Sequence, residues 1–561
     1  LIEFFASFLD EGAILQGEDV SRRTAGGLHT EENIQAKVIL RPKTTEELSK
    51  ILSACHESNQ PIVIHGGLTG LVYGTRSTQD QLVISLERMN QIEDVDLIGR
   101  TITCQSGTTL QTIQEMAEEN NMMFPLDLGA RGSCSIGGNI ATNAGGNRVI
   151  RYGMMRDSVL GLEAVLADGT ILTSMNTMIK NNAGYDLKQL FIGTEGTLGI
   201  ITRCVLRLRE APLSQNTGLV ALENLDSVIR FLKIVDSKLG GNMSAFEVMW
   251  NEFYKMVVGS KEQSSIPLAP DYPYYVLVEA LGSDQIKDED HFESILSECL
   301  ESSLIQDAVL AKSDSERQAL WAIRDDVEQQ TNYKPTFMYD VSLPISSMED
   351  YISQVRKNLM HSWDDFRCIV FGHLADGNLH LIIGVGSDDI DSQKKVEISV
   401  YEPLKLIGGS VSAEHGIGFE KKQYLNLSRT ETEIELMLYQ QLHNHFGAIA
   451  PMSDNSVSII QQILDSGQYT DIFQPCTSAS VLRGMRLPVS WLEKNAPGAI
   501  AALPDVEPNQ DPNAPESWNE PVTVSFTSKS QAKYENVNSW TNDWEAARRF
   551  TTMWSPDTDP V

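Results

Sequence analysis

Pro125-Leu-Asp-Leu-Gly-Ala-Arg-Gly-Ser-Cys-Ser-Ile-Gly-Gly-Asn-Ile-Ala-Thr-Asn-Ala-Gly-Gly146 is the stretch on which the fold reading turns. Small and polar residues fill it, and glycines let backbone amides come close to an anion. It has two companions. His65-Gly-Gly-Leu-Thr-Gly70 follows the apolar run Pro61-Ile-Val-Ile, and Gly184-Tyr-Asp-Leu-Lys-Gln-Leu-Phe-Ile-Gly-Thr-Glu-Gly-Thr-Leu-Gly199 lies downstream. By itself the His65 cluster reads as a turn, being neither a Walker loop nor a G-x-G-x-x-G fingerprint. Together the three segments would line a long groove with backbone amides, as a dinucleotide demands.

Working outward, Thr44 or Thr45 caps a helix whose first turn is acidic. Strands are expected at 61–65, 81–86 and 101–104, and a helix at about 108–120. Strands follow at 160–166 and 199–208, with an Asp168-Gly169 hairpin signal in the bridge between them. From 217 to about 395 strands and helices alternate without glycine clusters, which reads as a separate α+β domain. Residues 396–442 read as helical, broken by the loop Gly408-Gly-Ser-Val-Ser-Ala-Glu-His-Gly416. The chain is expected to divide into a helical lead-in (1–35), a glycine-cluster region (36–212), an α+β domain (213–405), a helical segment with a loop (406–445) and an unassigned tail (446–561). The tail carries Pro, Asn and Asp together with Trp518, Trp540, Trp544 and Trp554. That is too many large aromatics for a solvated tail, so it is expected to pack on something.

A chain of 561 residues is too long for one compact core, so two or three domains are expected. Its formal net charge of -32 repels phosphate backbones and anionic lipid, which disfavours nucleic acid and membrane surfaces as partners. No run approaches the roughly 18 apolar residues of a membrane span. Leu1–Asp10 reads as part of an amphipathic helix, not as a signal peptide. The seven cysteines are scattered, odd in number and without a C-x-x-C pair, which implies reduced thiols in a reducing compartment. The expected location is cytoplasmic, or the mitochondrial matrix in a eukaryote.

A second kind of chemistry lies in Gly372-His-Leu-Ala-Asp-Gly-Asn-Leu-His380. The Asp376-Gly377-Asn378 turn can fold its flanks back so that His373 and His380 meet. In Ser412-Ala-Glu-His-Gly416 a carboxylate and another imidazole stand side by side. Two histidines and one carboxylate form a common catalytic metal set with positions left open for substrate.

Both sets of motifs resemble one family: the vanillyl-alcohol-oxidase-like flavoproteins with a PCMH-type FAD domain, and within them the FAD-linked D-lactate and D-2-hydroxyglutarate dehydrogenases. The likeness rests on Pro125–Gly146, Arg151-Tyr-Gly, Leu160–Thr170, Gly184–Thr202, G-H-x-x-D-G-N-x-H and S-x-E-H-G. It implies an α+β protein: a two-subdomain PCMH-type FAD-binding domain, a substrate domain with an antiparallel sheet, a helical C-terminal segment and a tail of unknown fold. Gly66, Gly67, Thr69 and Gly70 would hold the pyrophosphate. Pro125, Ser133, Gly137, Gly138, Asn139, Asn143, Gly145 and Gly146 would line the path to the isoalloxazine. Glu195, Gly196, Gly199 and Ile200 would reach the adenosine half. His65 precedes the paired glycines instead of following them, so FAD is expected to be non-covalent and His65 an ordinary strand-end residue.

The resemblance further implies that His373, His380 and Glu414 bind a divalent metal, usually zinc, though ligand chemistry alone does not select it. His415 would be the general base, Arg324 would hold the substrate carboxylate through its planar fork, and Asn378 joins them as catalytic. The implied reaction oxidises a small D-2-hydroxy acid to the 2-oxo acid, with hydride passing to flavin N5. Two departures bear on the substrate. Glu328 stands where hydroxyglutarate enzymes carry threonine, and Met338 where they carry lysine. Losing a cation and gaining an anion disfavours a second carboxylate, so a D-lactate-like acid is expected ahead of D-2-hydroxyglutarate. Leu442–Pro451 replaces the family's closing L-D-P-x-x-x-x-N-P segment, and His443 and His445 read as helix-end residues. Electrons must leave to a separate acceptor, such as an electron-transfer flavoprotein, a quinone or a cytochrome, and a homodimer is compatible with the reading. The competing readings are a flavin-binding subunit of a larger hydroxyacid oxidase and a non-redox flavin transferase of the same fold.

Overall fold

The computed structural model describes residues 1–26, 33–259, 261 and 266–444. The expectations for the tail, for Cys476 and for His445 lie outside these residues, as does the side chain of His443.

The helix Thr45–Glu57 buries Leu48, Ile51, Leu52 and Cys55, a spacing that keeps one face apolar. Thr44 caps it, accepting from the Glu47 amide. That face packs on a four-stranded sheet in the order Ile14–Gln16, Val38–Leu40, Leu82–Ser85, Ile62–His65. Its last three strands run parallel. The first is a departure from the expected all-helical lead-in: Ile14–Gln16 pairs antiparallel with Val38–Leu40. Three residues are too few to show a strand period against the short helices Ile2–Ala6 and Glu18–Ser21 around them.

A five-stranded antiparallel sheet follows, in the order Ile92–Asp96, Thr101–Gln105, Ile200–Arg207, Val159–Val165, Ile171–Ser174. The Asp168-Gly169 turn closes the hairpin between Val159–Val165 and Ile171–Ser174, the latter a strand the sequence reading passed over. Every residue of Val159–Val165 is buried. Its one acid, Glu163, accepts from Thr45 (2.7 Å) and Thr202 (2.9 Å), tying the capped helix to this sheet. The six described cysteines are free and buried.

The third sheet positions the site. Its seven antiparallel strands run in the order Asp307–Leu310, Ser214–Leu222, Tyr274–Gly282, Met243–Trp250, Arg367–His373, Asn378–Gly384, Phe337–Ser342. Side chains alternate between its faces. Phe246, Val248, Val370, Leu379, Leu381, Tyr339 and Val341 point to one face. That face is covered by the helices Leu225–Leu239, Gln285–Glu301, Met348–Ser362 and Ile390–Ile407. The opposite face carries Met249, Phe371, Ile382 and Met338, packed against Asn251–Val258 and Asp314–Asp325. By the same alternation Glu247, Glu279, His373, His380 and Asp340 belong to this second face. Among the described residues no helix is long and apolar enough to cross a membrane.

Candidate active site

The three glycine-rich clusters converge. Gly67 packs backbone to backbone on the second cluster: a Cβ there would lie 2.1 Å from Ser133 O and 2.6 Å from Cys134 Cα. The third cluster docks on the helix Ile136–Ala141, whose carbonyls at Ile140 and Ala141 accept from the Gly193 (3.1 Å) and Glu195 (2.7 Å) amides. Gly70 meets nothing within 4 Å, and Gly196 approaches only Ile64, so backbone there is open to a ligand. Nearby, the buried atoms Ser106 Oγ, Thr108 Oγ1 and Asn139 Oδ1 have no protein partner. Open backbone and unsatisfied polar atoms along one seam fit a long polar cofactor such as FAD. Pro125 and Asn139 are buried, and Asn143 Oδ1 accepts from the Arg156 amide (3.0 Å). Gly199 packs against the Phe191 ring, and Ile200 lies in the core of the four-stranded sheet. His65 is 2% exposed, with Nε2 2.9 Å from Thr75 O. Burial, first of all, lowers its pKa to about 4, which keeps the ring neutral.

Gly67→Ala is expected to push the first two clusters apart, because the atoms it meets are backbone and cannot swing away. Overpacking of this kind costs about 1–3 kcal/mol, which corresponds to roughly 5- to 150-fold weaker FAD binding. Gly74→Ala, with nothing within 4 Å of its Cβ, should bind FAD as the parent does. Flavin fluorescence titration measures both, and equal affinities would separate the clusters from the cofactor.

The metal half forms from one turn and one loop. Strand Arg367–His373 ends in a short turn, Gly377 takes a φ of 88°, and Asn378–Gly384 returns antiparallel. This brings the His373 and His380 rings to a centroid distance of 5.5 Å. The neighbouring strand supplies Asp340, fully buried and directly opposite His380. Its Oδ2 accepts three consecutive loop amides, Ala413 (3.0 Å), Glu414 (2.9 Å) and His415 (3.1 Å). Its Oδ1 accepts from Asn378 Nδ2 (2.8 Å), and Lys421 Nζ lies 3.7 Å from Oδ2. Burial would raise the Asp340 pKa, but His415, Lys421, His380 and the loop amides outweigh it and hold the carboxyl far below its ordinary value.

The loop so gripped turns Glu414 towards the histidines. Ligand atoms of His373, His380 and Glu414 all lie within 4.8 Å of one another. Asp340, His380 and His415 make a second such group, but the Asp340 oxygens are already taken by amide donors, so the first set is the one with lone pairs to give. Glu414 Oε1 also accepts from the Gly146 amide (3.0 Å), which sets this group against the end of the second glycine cluster. Burial lowers the His380 pKa well below its ordinary value, leaving a neutral ligand. At His373 burial acts the same way, but Glu247 and Glu414 outweigh it and raise the pKa to about 9. A cation binding at Nε2 would displace the extra proton. Two histidines and a carboxylate gathered this closely fit a zinc-like divalent ion.

Besides Asp340, five residues shape the site through contacts that the sequence alone does not state. Glu247, 1% exposed, receives His373 Nδ1 (2.6 Å) and Arg324 Nε (2.7 Å). Arg324 is itself 5% exposed, with its guanidinium carbon 4.9 Å from the centre of the Phe371 ring. Lys421 is buried and donates to the Asp340 carbonyl (3.2 Å). Glu195 accepts from the Ile417 (2.7 Å) and Gly418 (2.9 Å) amides, so its carboxylate ties the third glycine cluster to the loop that carries Glu414 and His415. Asn378 commits its amide nitrogen to Asp340 and Val341, while its buried Oδ1 has no protein partner.

Comparison with known proteins adds independent findings. Residues 36–174 match the family model described as an FAD binding domain, and residues 211–446 match the C-terminal domain of FAD linked oxidases. The chain is 37% identical over 437 residues to the mitochondrial D-2-hydroxyglutarate dehydrogenase of Danio rerio, covering 78% of this chain and 81% of that protein. It is 39% identical over 413 residues to a putative mitochondrial D-lactate dehydrogenase of Schizosaccharomyces pombe, covering 72% and 78%. Among solved structures, an alkyldihydroxyacetonephosphate synthase superposes with a TM-score of 0.62 at 17% identity, over 79% of this chain and 84% of that one. A substrate-bound p-cresol methylhydroxylase gives 0.62 at 14%, over 78% and 92%. Likeness at that identity concerns the fold alone.

Proposed function

We propose a specific reaction from one premise: the chain belongs to the FAD-linked dehydrogenases of D-2-hydroxy acids, the family of D-2-hydroxyglutarate and D-lactate dehydrogenases. It is therefore an FAD-dependent oxidoreductase, and D-2-hydroxy acid oxidation is its activity. The finer reading concerns how. His373, His380 and Glu414 hold a divalent metal. Residues 36–212 hold FAD non-covalently, 213–405 form the substrate domain, and 406–445 complete the site. When bound, the metal supplies a Lewis acid for the substrate hydroxyl, and FAD supplies the acceptor for the hydride from C2. His415 takes the hydroxyl proton, and Arg324 pairs with the substrate carboxylate. Asn378 orders the turn between the two histidines. The observation that carries this reading is Glu414, which faces both histidines and takes the Gly146 amide.

Met338 supports a substrate with one carboxylate. It shares a strand face with Asp340, pairs with Ile382 and packs into the apolar cluster with Phe371, so this position offers no cation to a second carboxylate. Glu328, in the 3-10 turn Val327–Tyr333, adds an anion nearby in the chain. Both named relatives are mitochondrial, which favours the matrix between the two expected locations.

The test is anaerobic mixing of the FAD-loaded protein with D- and L-2-hydroxy acids, followed at the flavin absorbance. Bleaching is expected with a D-acid only, lost on chelation and restored by Zn²⁺ or Mn²⁺. Bleaching that survives complete metal removal would overturn the metal assignment. Preference for D-2-hydroxyglutarate over D-lactate by more than about tenfold, some 1.4 kcal/mol, would overturn the monocarboxylate reading.

A further inference from the structure

We infer that Glu247 is a positioning residue that fixes the tautomer of His373, and that Arg324 is what forces Glu247 to be a carboxylate instead of an amide. The inference rests on the metal reading above and concerns a residue outside the proposed ligand set.

Glu247 sits mid-strand in Met243–Trp250, directly across from His373 in the sheet. Its two oxygens are divided between two partners: Oε1 stands 2.6 Å from His373 Nδ1 and Oε2 2.7 Å from Arg324 Nε. All three side chains are nearly excluded from water, at 1%, 6% and 6% exposure. Arg324 can only donate, so it must face an oxygen. An oxygen on the His373 side holds the proton on Nδ1 and leaves the Nε2 lone pair free. Nε2 is the atom that stands 4.0 Å from Glu414 Oε1. A carboxylate serves both partners with oxygens. An amide cannot.

Glu247→Gln makes the argument sharp because it preserves shape. Arg324 keeps the single amide oxygen, and the NH2 group then faces His373 Nδ1. Nδ1 must become the acceptor, so the ring proton moves to Nε2 and covers the ligand lone pair. The serine-protease triad shows the same consequence when its orienting aspartate becomes asparagine. Outer-shell partners of metal-binding histidines are worth about 10–100-fold in metal affinity. Arg324 Nη2 also lies 3.3 Å from His373 Nε2, and one lone pair cannot serve both it and a cation. The Nε anchor on Glu247 keeps the guanidinium beside the site when Nη2 is displaced.

The experiment titrates FAD-loaded protein with Zn²⁺ against a chromophoric chelator. Wild type is expected to bind one Zn²⁺ per chain, and Glu247→Gln to bind it about 10–100-fold more weakly. The double variant Glu247→Gln/Arg324→Met frees the amide to turn its oxygen to His373, and should recover binding to within about tenfold of wild type. A merely structural role would lower the melting temperature of chelated protein and leave Zn²⁺ affinity unmoved. Glu247→Gln binding Zn²⁺ as tightly as wild type overturns the inference. A double variant no tighter than the single one overturns the tautomer argument; where Glu247→Gln alone folds too poorly to titrate, a double variant that binds Zn²⁺ more than about tenfold more weakly than wild type overturns it. Failure of wild type to bind Zn²⁺ at all overturns the metal reading itself and is told apart by that first titration.

Discussion

Asp340→Ala is expected to destabilise the protein by about 3–5 kcal/mol, the usual cost of breaking a buried charge pair from one side, and to abolish flavin reduction by hydroxy acids. Three facts set the size. The carboxylate is fully buried, so its loss is not repaired by water. Lys421, 2% exposed with its ammonium 3.7 Å from Asp340 Oδ2, would lose the first of its stabilising carboxylates and keep only Glu420 and Glu195. The amides of Ala413, Glu414 and His415 would lose the one oxygen that satisfies all three. Unsatisfied buried donors cost about 1–3 kcal/mol each, so the loop must rearrange, carrying Glu414 and His415 with it. Asp340→Asn separates the two effects. Its oxygen can keep the three amides, but the charge facing Lys421 is gone, and its NH2 group then meets the Nδ2 donor of Asn378. Asn378 can answer by turning its unpartnered Oδ1 inward. We expect Asp340→Asn to fold better than Asp340→Ala while still reducing flavin slowly. Denaturant midpoints and anaerobic bleaching measure the pair. An alanine variant with the parent's midpoint and rate would show that the loop is held by something other than this carboxylate.

What the sequence disclosed and what it hid follow a physical division. The glycine clusters were legible because open backbone is written in glycine itself, and the His373–His380 pair because a single tight turn brings the two rings together. The partners that aim these residues were not. Glu247 is 126 residues from His373, Asp340 is 74 from Glu414, and Glu195 is 222 from Ile417. Such contacts depend on strand register across a sheet, which no local pattern states. A weaker signal was present. Glu163, Glu247, Glu279 and Asp340 are each the lone acid in a strand of otherwise apolar or neutral residues, and all four are buried. A buried carboxylate without a partner is prohibitively costly. A single acid in such a strand therefore announces a partner even when it cannot name one. Glu279 bears this out away from the histidines, accepting from Gln215 (2.7 Å) and Trp321 (2.9 Å). The role of Arg324 comes only from family likeness. The structure buries it between Glu247 and Phe371, which no helical period would reveal.

His415→Ala is expected to slow flavin reduction by about 10²–10⁴-fold, the usual contribution of a positioned base, with FAD and metal content unchanged. The substitution is clean because Asp340 grips His415 by its backbone amide, which alanine retains, so the loop and Glu414 stay where they are. His415 stacks its ring beside that of His380 at a centroid distance of 5.9 Å, and its side chain is 24% exposed against 12% for His380. It is the more accessible imidazole of the pair, as a base that must exchange protons should be. The carboxylate of Asp340 lies 4.0 Å from its Nδ1, which favours Nε2 as the atom offered to substrate. Glu414→Ala makes the informative companion, since it should lose metal as well as rate. The two variants therefore separate proton removal from metal binding: a slow enzyme that is fully metal-loaded in one case, and a metal-free one in the other. Near-normal flavin reduction by metal-loaded His415→Ala would hand the proton to another group. Another candidate would then be Asp376, in the turn that joins His373 to His380. Asp376→Asn in the same assay would decide between them.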